Sequence, residues 1–195
     1  MSLVLAGKTA WVLMAVGWYI LRYPFERRAR RARVSVDRKK FADRVRLTIS
    51  LTGLGVLPAI YVATGQPSFA DYQPSWPLLA LGILAAAASL VMFRLTHKAL
   101  GRMWSVSLQL KEDHRLVTGG TYGRVRHPMY TAFWLMALAQ ALLLPNWVAG
   151  AAGVVGFGFL FFSRIGPEER LMEEAFGEEY RDYKARTKRV IPHIY

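Results

Sequence analysis

Two stretches of this chain carry residue types at spacings that can do chemistry. The first, HRLVTGGTYGRVRHPMY, runs from His114 to Tyr130. Pro128 has no N–H, so it suits the first turn of a helix. A helix beginning there presents unpaired N–H groups and the positive end of its dipole. Arg124, Arg126 and His127 stand just before it. Two readings fit: the group stabilises an anion such as a carboxylate or phosphate, or the arginines anchor a helix end among lipid headgroups. The second stretch, SRIGPEERLMEEAFGEEYRDYKARTKRVIP, runs from Ser163 to Pro192. Pro167 followed by Glu168 and Glu169 reads as a helix start with acids in its first turn. Both carboxylates follow Arg164 at the end of an apolar run, where an acid must be solvated, paired or used on a ligand. Leu171, Met172, Ala175, Phe176, Tyr180 and Tyr183 recur at near-helical spacing, as a stripe that folds back on the protein or on the membrane surface. Glu173, Glu174, Glu178 and Glu179 read as a solvated face.

Other chemistries are excluded by what is missing. There is no cysteine, hence no disulfide scaffold, thiolate metal site or cysteine nucleophile. No dinucleotide-binding glycine fingerprint, P-loop or nucleophile elbow occurs. His97, His114, His127 and His193 lack metal-ligand spacing, so no metal is expected; His97 reads as an interfacial residue.

The elements that must position these groups are apolar. Of 195 residues, 53% are hydrophobic, yet Lys and Arg number 26 against 13 Asp and Glu, a formal net charge of +13. The distribution of charge resolves this combination. Residues 3–21 hold one charge, Lys8, and residues 47–63, 76–93, 129–144 and 147–163 hold none. A helix needs about 20 residues to cross a hydrocarbon core. The first three runs have that length. The last two are slightly short and are joined by Pro145-Asn146, as a helical hairpin. The reading is therefore an all-α polytopic membrane protein with about five transmembrane helices, the last two a hairpin, and a cytoplasmic C-terminal helix; four spans plus a re-entrant pair is the competing count. The first run lacks a cleavage site and is followed by a basic patch, so it reads as a span and not a removable signal. The chain reads as a single domain over 1–195: three spans in 1–93, and a half carrying the site in 94–195 with its hairpin at 128–163.

Basic residues cluster in 22–46, with 11, and in 94–126 and 164–189, with 7 each, whereas the loop 64–75 and the Pro145-Asn146 turn have none. The positive-inside rule then puts the N-terminus outside and the C-terminus in the cytoplasm. The arginines of 27–33 read as topological retention and lipid-headgroup attraction, not as a nucleic-acid site, because no stacking aromatic is interleaved. Gly82 and Ala85 to Ala87, and Gly150, Gly153, Gly156 and Gly158, permit close helix packing. Pro58 kinks the second span and frees a carbonyl.

The order Leu116-Val117, Gly120-Thr121-Tyr122, Arg126-His127-Pro128-Met129-Tyr130, a hydrophobic hairpin, Arg164, Glu168-Glu169, Phe176-Gly177-Glu178-Glu179-Tyr180 and Tyr183-Lys184 resembles the isoprenylcysteine carboxyl methyltransferase family. That family belongs to a wider group of integral-membrane methyltransferases that includes phospholipid methyltransferases. The resemblance covers the chain from about Leu100 onward, and the compact build is similar to prokaryotic members in a cell membrane. It implies S-adenosyl-L-methionine as methyl donor, with S-adenosyl-L-homocysteine as product. The cofactor contacts it implies are Gln109, His114, Arg115, Leu116, Val117, Tyr122, His127, Pro128, Met129, Tyr130 and Glu168; Arg126 and Arg164 match positions associated with substrate and catalysis. The implied reaction is methyl transfer, foremost carboxyl O-methylation, to a lipid-like or isoprenoid-bearing acceptor, either an amphiphilic small molecule or a lipidated protein. Phospholipid N-methylation and a non-catalytic membrane protein of the same fold are the alternatives. A transporter is disfavoured, because the spans hold few polar groups beyond Ser50, Thr52, Ser89 and Gln140.

Overall fold

A computed structural model describes residues 2–29, 34–37, 41–101, 109–111 and 115–195, with 28, 29, 34–37 and 109–111 described by backbone alone. His114 and parts of the basic segment 22–40 therefore lie outside the described residues, as does the Gln109 side chain.

Helix α1 (Leu3–Ala29) is followed by a short strand β1 (Val34–Asp37), then by α2 (Phe41–Leu51), a π-helical turn (Thr52–Val56) and α3 (Leu57–Thr64). Helix α4 (Trp76–Leu100), strand β2 (Gln109–Lys111), α5 (Pro128–Leu143) and α6 (Trp147–Arg186) complete the order. The ribbon β1–β2 is antiparallel with a bulge between Val34 and Val36. No strand was expected from the sequence, because three or four residues are too few to establish a period of two; only the long-range pairing makes them strands.

Among the described residues, four helical stretches are long and apolar enough to cross a membrane: Leu3–Arg27, Phe41–Thr64, Trp76–Leu100 and Trp147–Arg186. The protein is an integral membrane protein built of helices, with the β1–β2 ribbon as its one small sheet among the described residues. Helix α5, with 16 residues, is only about 24 Å long, yet it links the two ends of the bundle. Its C-terminal turn meets the loop after α3: Asn146 Nδ2 donates to the Pro67 carbonyl and to Asp71 Oδ1, both at 2.7 Å. Its N-terminus sits among Glu168 and Glu169 at the other end. Asn146 Oδ1 also caps α6, accepting from the Val148 and Ala149 N–H groups at 3.1 and 2.9 Å. One buried amide thus starts the last helix and ties the hairpin tip to the loop.

The second span widens into a π-helical turn just before its proline. The Leu57 N–H bonds back to the Thr52 carbonyl, a five-residue reach. The next N–H, which would serve the Gly53 carbonyl, belongs to Pro58 and does not exist. Gln140 Nε2 from α5 takes its place at 3.0 Å and also donates to the Ala149 carbonyl at 2.7 Å. Ser89 Oγ likewise donates to the Ala132 carbonyl at 2.8 Å, binding α4 to α5. These mid-span polar groups are interhelical fasteners. Glycine permits close approach: a Cβ at Gly53 would lie 2.2 Å from the Ala152 carbonyl oxygen of α6.

Helix α6 differs from expectation at two places. It passes through Pro167 without ending, so no separate helix begins there. At this membrane-face position the carbonyl left unpaired by proline can be solvated. The break comes instead at Gly177, whose φ of 54° and ψ of −125° is a conformation that only glycine adopts readily. Residues 147–163 form the apolar, membrane-crossing portion of α6; the remainder runs on beyond it. After the break, the last turns fold against the protein, burying Tyr180 and Tyr183. His97, in the last turn of α4, is fully buried between Phe25 and Phe93.

Candidate active site

A cavity of about 660 Å³ opens among α1, α2, α5 and α6. That volume suits a small-molecule site, for which roughly 300–1,000 Å³ is usual. One end is apolar: Trp11, Met14 and Trp18 of α1, Leu47, Leu51 and Leu54 of the second span, and Phe133, Met136 and Leu160 of the hairpin. The other end is polar, lined by Arg115, Tyr122, Arg126, His127, Arg164 and Glu168 together with Tyr130, Tyr180 and Tyr183.

Two neighbouring carboxylates on α6 organise the polar end, in different ways. Glu169 is buried. It receives Arg126 through Nε and Nη2 at 3.2 and 3.0 Å, and Arg189 through Nε and Nη2 at 3.2 and 3.0 Å. His127 Nε2 stands 3.4 Å away. Burial alone would raise the pKa of this acid, but the bonds from His127, Arg189 and Arg126 prevail and hold it well below the usual carboxylate range. The Arg189 guanidinium is raised in turn, chiefly by its bonds to Glu169. Glu168 is the carboxylate presented to the cavity. The Tyr130 hydroxyl donates to its Oε2, Arg164 Nε lies 3.8 Å from the same oxygen, and His127 Nδ1 lies 3.8 Å from Oε1. Tyr130 is fixed by an edge-on contact with Phe161 at 5.4 Å and by stacking on His127 at 5.5 Å.

The segment before α5 is held by the segment after α6. The Arg126 N–H donates to the Lys188 carbonyl at 2.7 Å and the His127 N–H to the Arg189 carbonyl at 2.9 Å. Thr131 Oγ1 donates to the Val190 carbonyl at 2.7 Å. The Tyr183 hydroxyl, its pKa pushed up to about 12 by burial, donates to the Tyr122 carbonyl at 2.6 Å. Burial also pushes the Tyr122 hydroxyl up. Both phenols are thus neutral hydrogen-bonding groups at physiological pH.

Of the residues singled out from sequence, Arg115, Leu116, Val117, Tyr122, Arg126, His127, Met129, Tyr130, Arg164 and Glu168 line this one cavity. Pro128 does not; it is buried as the first residue of α5. The two arginines differ. Arg126 is bound to protein through all three nitrogens, since its Nη1 also donates to the Lys184 and Thr187 carbonyls. Arg164 makes its two ion-pair contacts, to Asp43 at 3.7 Å and Glu168 at 3.8 Å, through Nε. Sequence reasoning overlooked Asp43, Arg189, Trp11 and Trp18. The acid in α2 was countable as a charge just before an uncharged run, and the tryptophans recur seven residues apart; nothing in the spacing says that they meet the C-terminal half.

The residues fit a polar, adenosyl-type ligand. The Tyr180 hydroxyl, at the polar end, is buried without a hydrogen-bond partner among the described residues, and its side chain lines the cavity. Such a group is costly unless a ligand or water completes it. Among the described residues no cluster of His, Asp or Glu is placed to hold a metal.

The isoprenylcysteine carboxyl methyltransferase (ICMT) family model matches residues 78–174, about half of the chain. The fission yeast Schizosaccharomyces pombe protein named protein-S-isoprenylcysteine O-methyltransferase is 32% identical over 126 residues, 65% of this chain and 52% of that protein. The probable protein-S-isoprenylcysteine O-methyltransferase of Oryza sativa subsp. indica is 26% identical over 128 residues, 65% of this chain and 67% of that one. The chain thus spans about half the length of the yeast relative and two thirds of the rice one. A solved structure of the eukaryotic intramembrane Ras methyltransferase ICMT aligns with a TM-score of 0.47 and 23% identity, over 82% of this chain and 55% of that one. The matched segment runs from α4 through the hairpin to the paired carboxylates of α6, and by it the chain belongs to the isoprenylcysteine carboxyl methyltransferase family.

Proposed function

We propose that this protein catalyses carboxyl O-methylation of an isoprenoid-bearing or similarly lipidic acceptor at the membrane face, with S-adenosyl-L-methionine as methyl donor. The observation that carries the reading is the continuity of one cavity from a cluster of arginine, histidine, glutamate and tyrosine into an apolar slot between membrane helices. An amphiphile with a charged head and a greasy tail matches both ends. The names of the yeast and rice relatives point to the same acceptor class.

The cofactor would supply an electrophilic methyl group on a sulfonium. Arg115, the 116–117 backbone, Tyr122, His127, Met129, Tyr130 and Glu168, which line the cavity, would hold it, with Gln109 and His114 as further candidates from the family resemblance. Glu168 offers a carboxylate to a ligand's ribose hydroxyls or ammonium, and Tyr130 and His127 keep that carboxylate in place. The acceptor carboxylate needs no general base. Such an acceptor would take the methyl on a carboxylate oxygen, with the sulfonium's bonding pair left on sulfur, so the chain's residues would have no proton to remove. The protein's contribution is orientation and exclusion of water, where effective-molarity gains are largest. Arg164, whose ion-pair contacts among the described residues are both made through Nε, is the guanidinium suited to hold the acceptor head. Arg126 acts mainly by fixing Glu169 and the 184–187 carbonyls. By the positive-inside rule the site faces the cytoplasm.

Calorimetric titration of detergent-purified protein with S-adenosyl-L-homocysteine tests the cofactor site. The parent binds, and Glu168→Ala weakens binding at least tenfold, about 1.4 kcal/mol. A folded parent that does not bind would remove the reading.

A further inference from the structure

Asp43 is a buried acid near the start of α2, a helix outside the matched segment. It is 3% exposed, and its Oδ1 has no hydrogen-bond partner among the described residues. Among the described residues, its one charged neighbour in ion-pair range is Arg164, whose Nε lies 3.7 Å from that oxygen. A buried carboxylate beside a membrane span persists only when it is paired or in use. The cavity is lined by Arg164 and not by Asp43, so the acid stands behind the guanidinium that faces the ligand space.

The geometry points to Asp43 as a positioning residue for acceptor methylation: it acts through Arg164, limiting how tightly that guanidinium grips the acceptor carboxylate. This rests on the carboxyl-methylation reading above. Arg164 lies between two carboxylates, Asp43 at 3.7 Å and Glu168 at 3.8 Å. Glu168 sits one helical turn away on the same helix, whereas Asp43 comes from α2 and anchors the guanidinium against a second element. A guanidinium with this compensation orients an incoming carboxylate without withdrawing the charge that makes its oxygen nucleophilic. Without Asp43, the same guanidinium would bind the acid more tightly and leave it less reactive, a gain in ground-state binding that does not carry into the transition state.

The test pairs N-acetyl-S-farnesyl-L-cysteine with its methyl ester, which shares the tail and lacks the charge. Binding of both is measured by calorimetry for the detergent-solubilised parent, Asp43→Asn, Asp43→Ser and Asp43→Glu; turnover of the acid is measured with S-adenosyl-L-methionine. In the two neutral variants, the affinity for acid relative to ester rises about tenfold, as expected for one uncompensated charge in a site of intermediate dielectric. Their kcat falls at least tenfold, KM for the acid does not rise, and affinity for S-adenosyl-L-homocysteine stays within twofold. Asp43→Glu keeps the parent's acid-to-ester ratio. A structural role alone would leave that ratio unmoved, so an unchanged ratio and kcat in the neutral variants overturn the proposal. It is equally overturned if both neutral variants fail to fold while Asp43→Glu folds with parental constants, which would make Asp43 a structural counter-ion. A parent that binds S-adenosyl-L-homocysteine but not the farnesylated acid removes the acceptor reading, and this proposal with it.

Discussion

Arg126 and Arg164 have the same side chain, flank the two helices of one hairpin at the polar end of one cavity, and do different work. Arg126 joins Glu169 to the Lys184 and Thr187 carbonyls at the C-terminal end of α6. Arg126→Ala leaves a buried carboxylate and two carbonyls short of donors, and the cost of breaking such a network is on the order of 3–5 kcal/mol. The expected outcome is a large fall in Tm by scanning fluorimetry, along with lost ligand binding. Arg164→Lys keeps the charge but loses the planar fork, so Tm stays near parental while turnover falls at least tenfold. Glu169 makes a pH prediction. Its folded-state pKa is depressed below the ordinary carboxylate value of about 4.3. Its contribution is therefore present above that value and is lost as pH falls below it. Tm of the solubilised protein should decline from about pH 5 downward, and Glu169→Gln should lower Tm at pH 7 and flatten that decline.

At the scale of elements, the interruptions position the site as much as the regular turns do. The π turn at Thr52–Val56 shifts the face that α2 and α3 present, and Gln140 supplies the donor that Pro58 lacks. The break at Gly177 returns Tyr180 and Tyr183 to the cavity. Nothing within 4 Å would obstruct a Cβ there, so Gly177→Ala is a test of backbone conformation alone. It should cost about 1–3 kcal/mol, read as a lower Tm, and weaken S-adenosyl-L-homocysteine binding severalfold because the two tyrosines are re-aimed. Unchanged Tm and affinity would show that the break is not needed.

For the whole molecule, the two ends of the bundle differ in charge. Lys8, the end of α3, the loop around Asp71 and the hairpin tip meet at one end. The paired carboxylates and the arginines of 115–126 and 164–189 gather at the other. The chain has no native cysteine, so single reporters are clean. Gln73 and Arg181 are exposed at opposite ends. In intact cells, Gln73→Cys should react with a membrane-impermeant maleimide, and Arg181→Cys only after permeabilisation. The reverse pattern would invert the proposed orientation.

The sequence by itself determined the membrane class, the spans, the hairpin and its turn, and the motif block that lines the polar end of the cavity. Each of these is written locally, in uncharged runs of sufficient length or in residues a few positions apart. It also indicated that Pro58 would free a carbonyl and that small residues would let helices approach. The tertiary structure alone decided that Gln140 accepts the task of serving that carbonyl, that α1 supplies two tryptophans to the cavity, that Glu169 and not Glu168 is the structural acid, and that Asp43 stands behind Arg164. These are encounters between residues separated by tens to more than a hundred positions. No period or spacing encodes them; they follow from how the helices pack, because in lipid it is close packing and satisfied polar groups that select one arrangement.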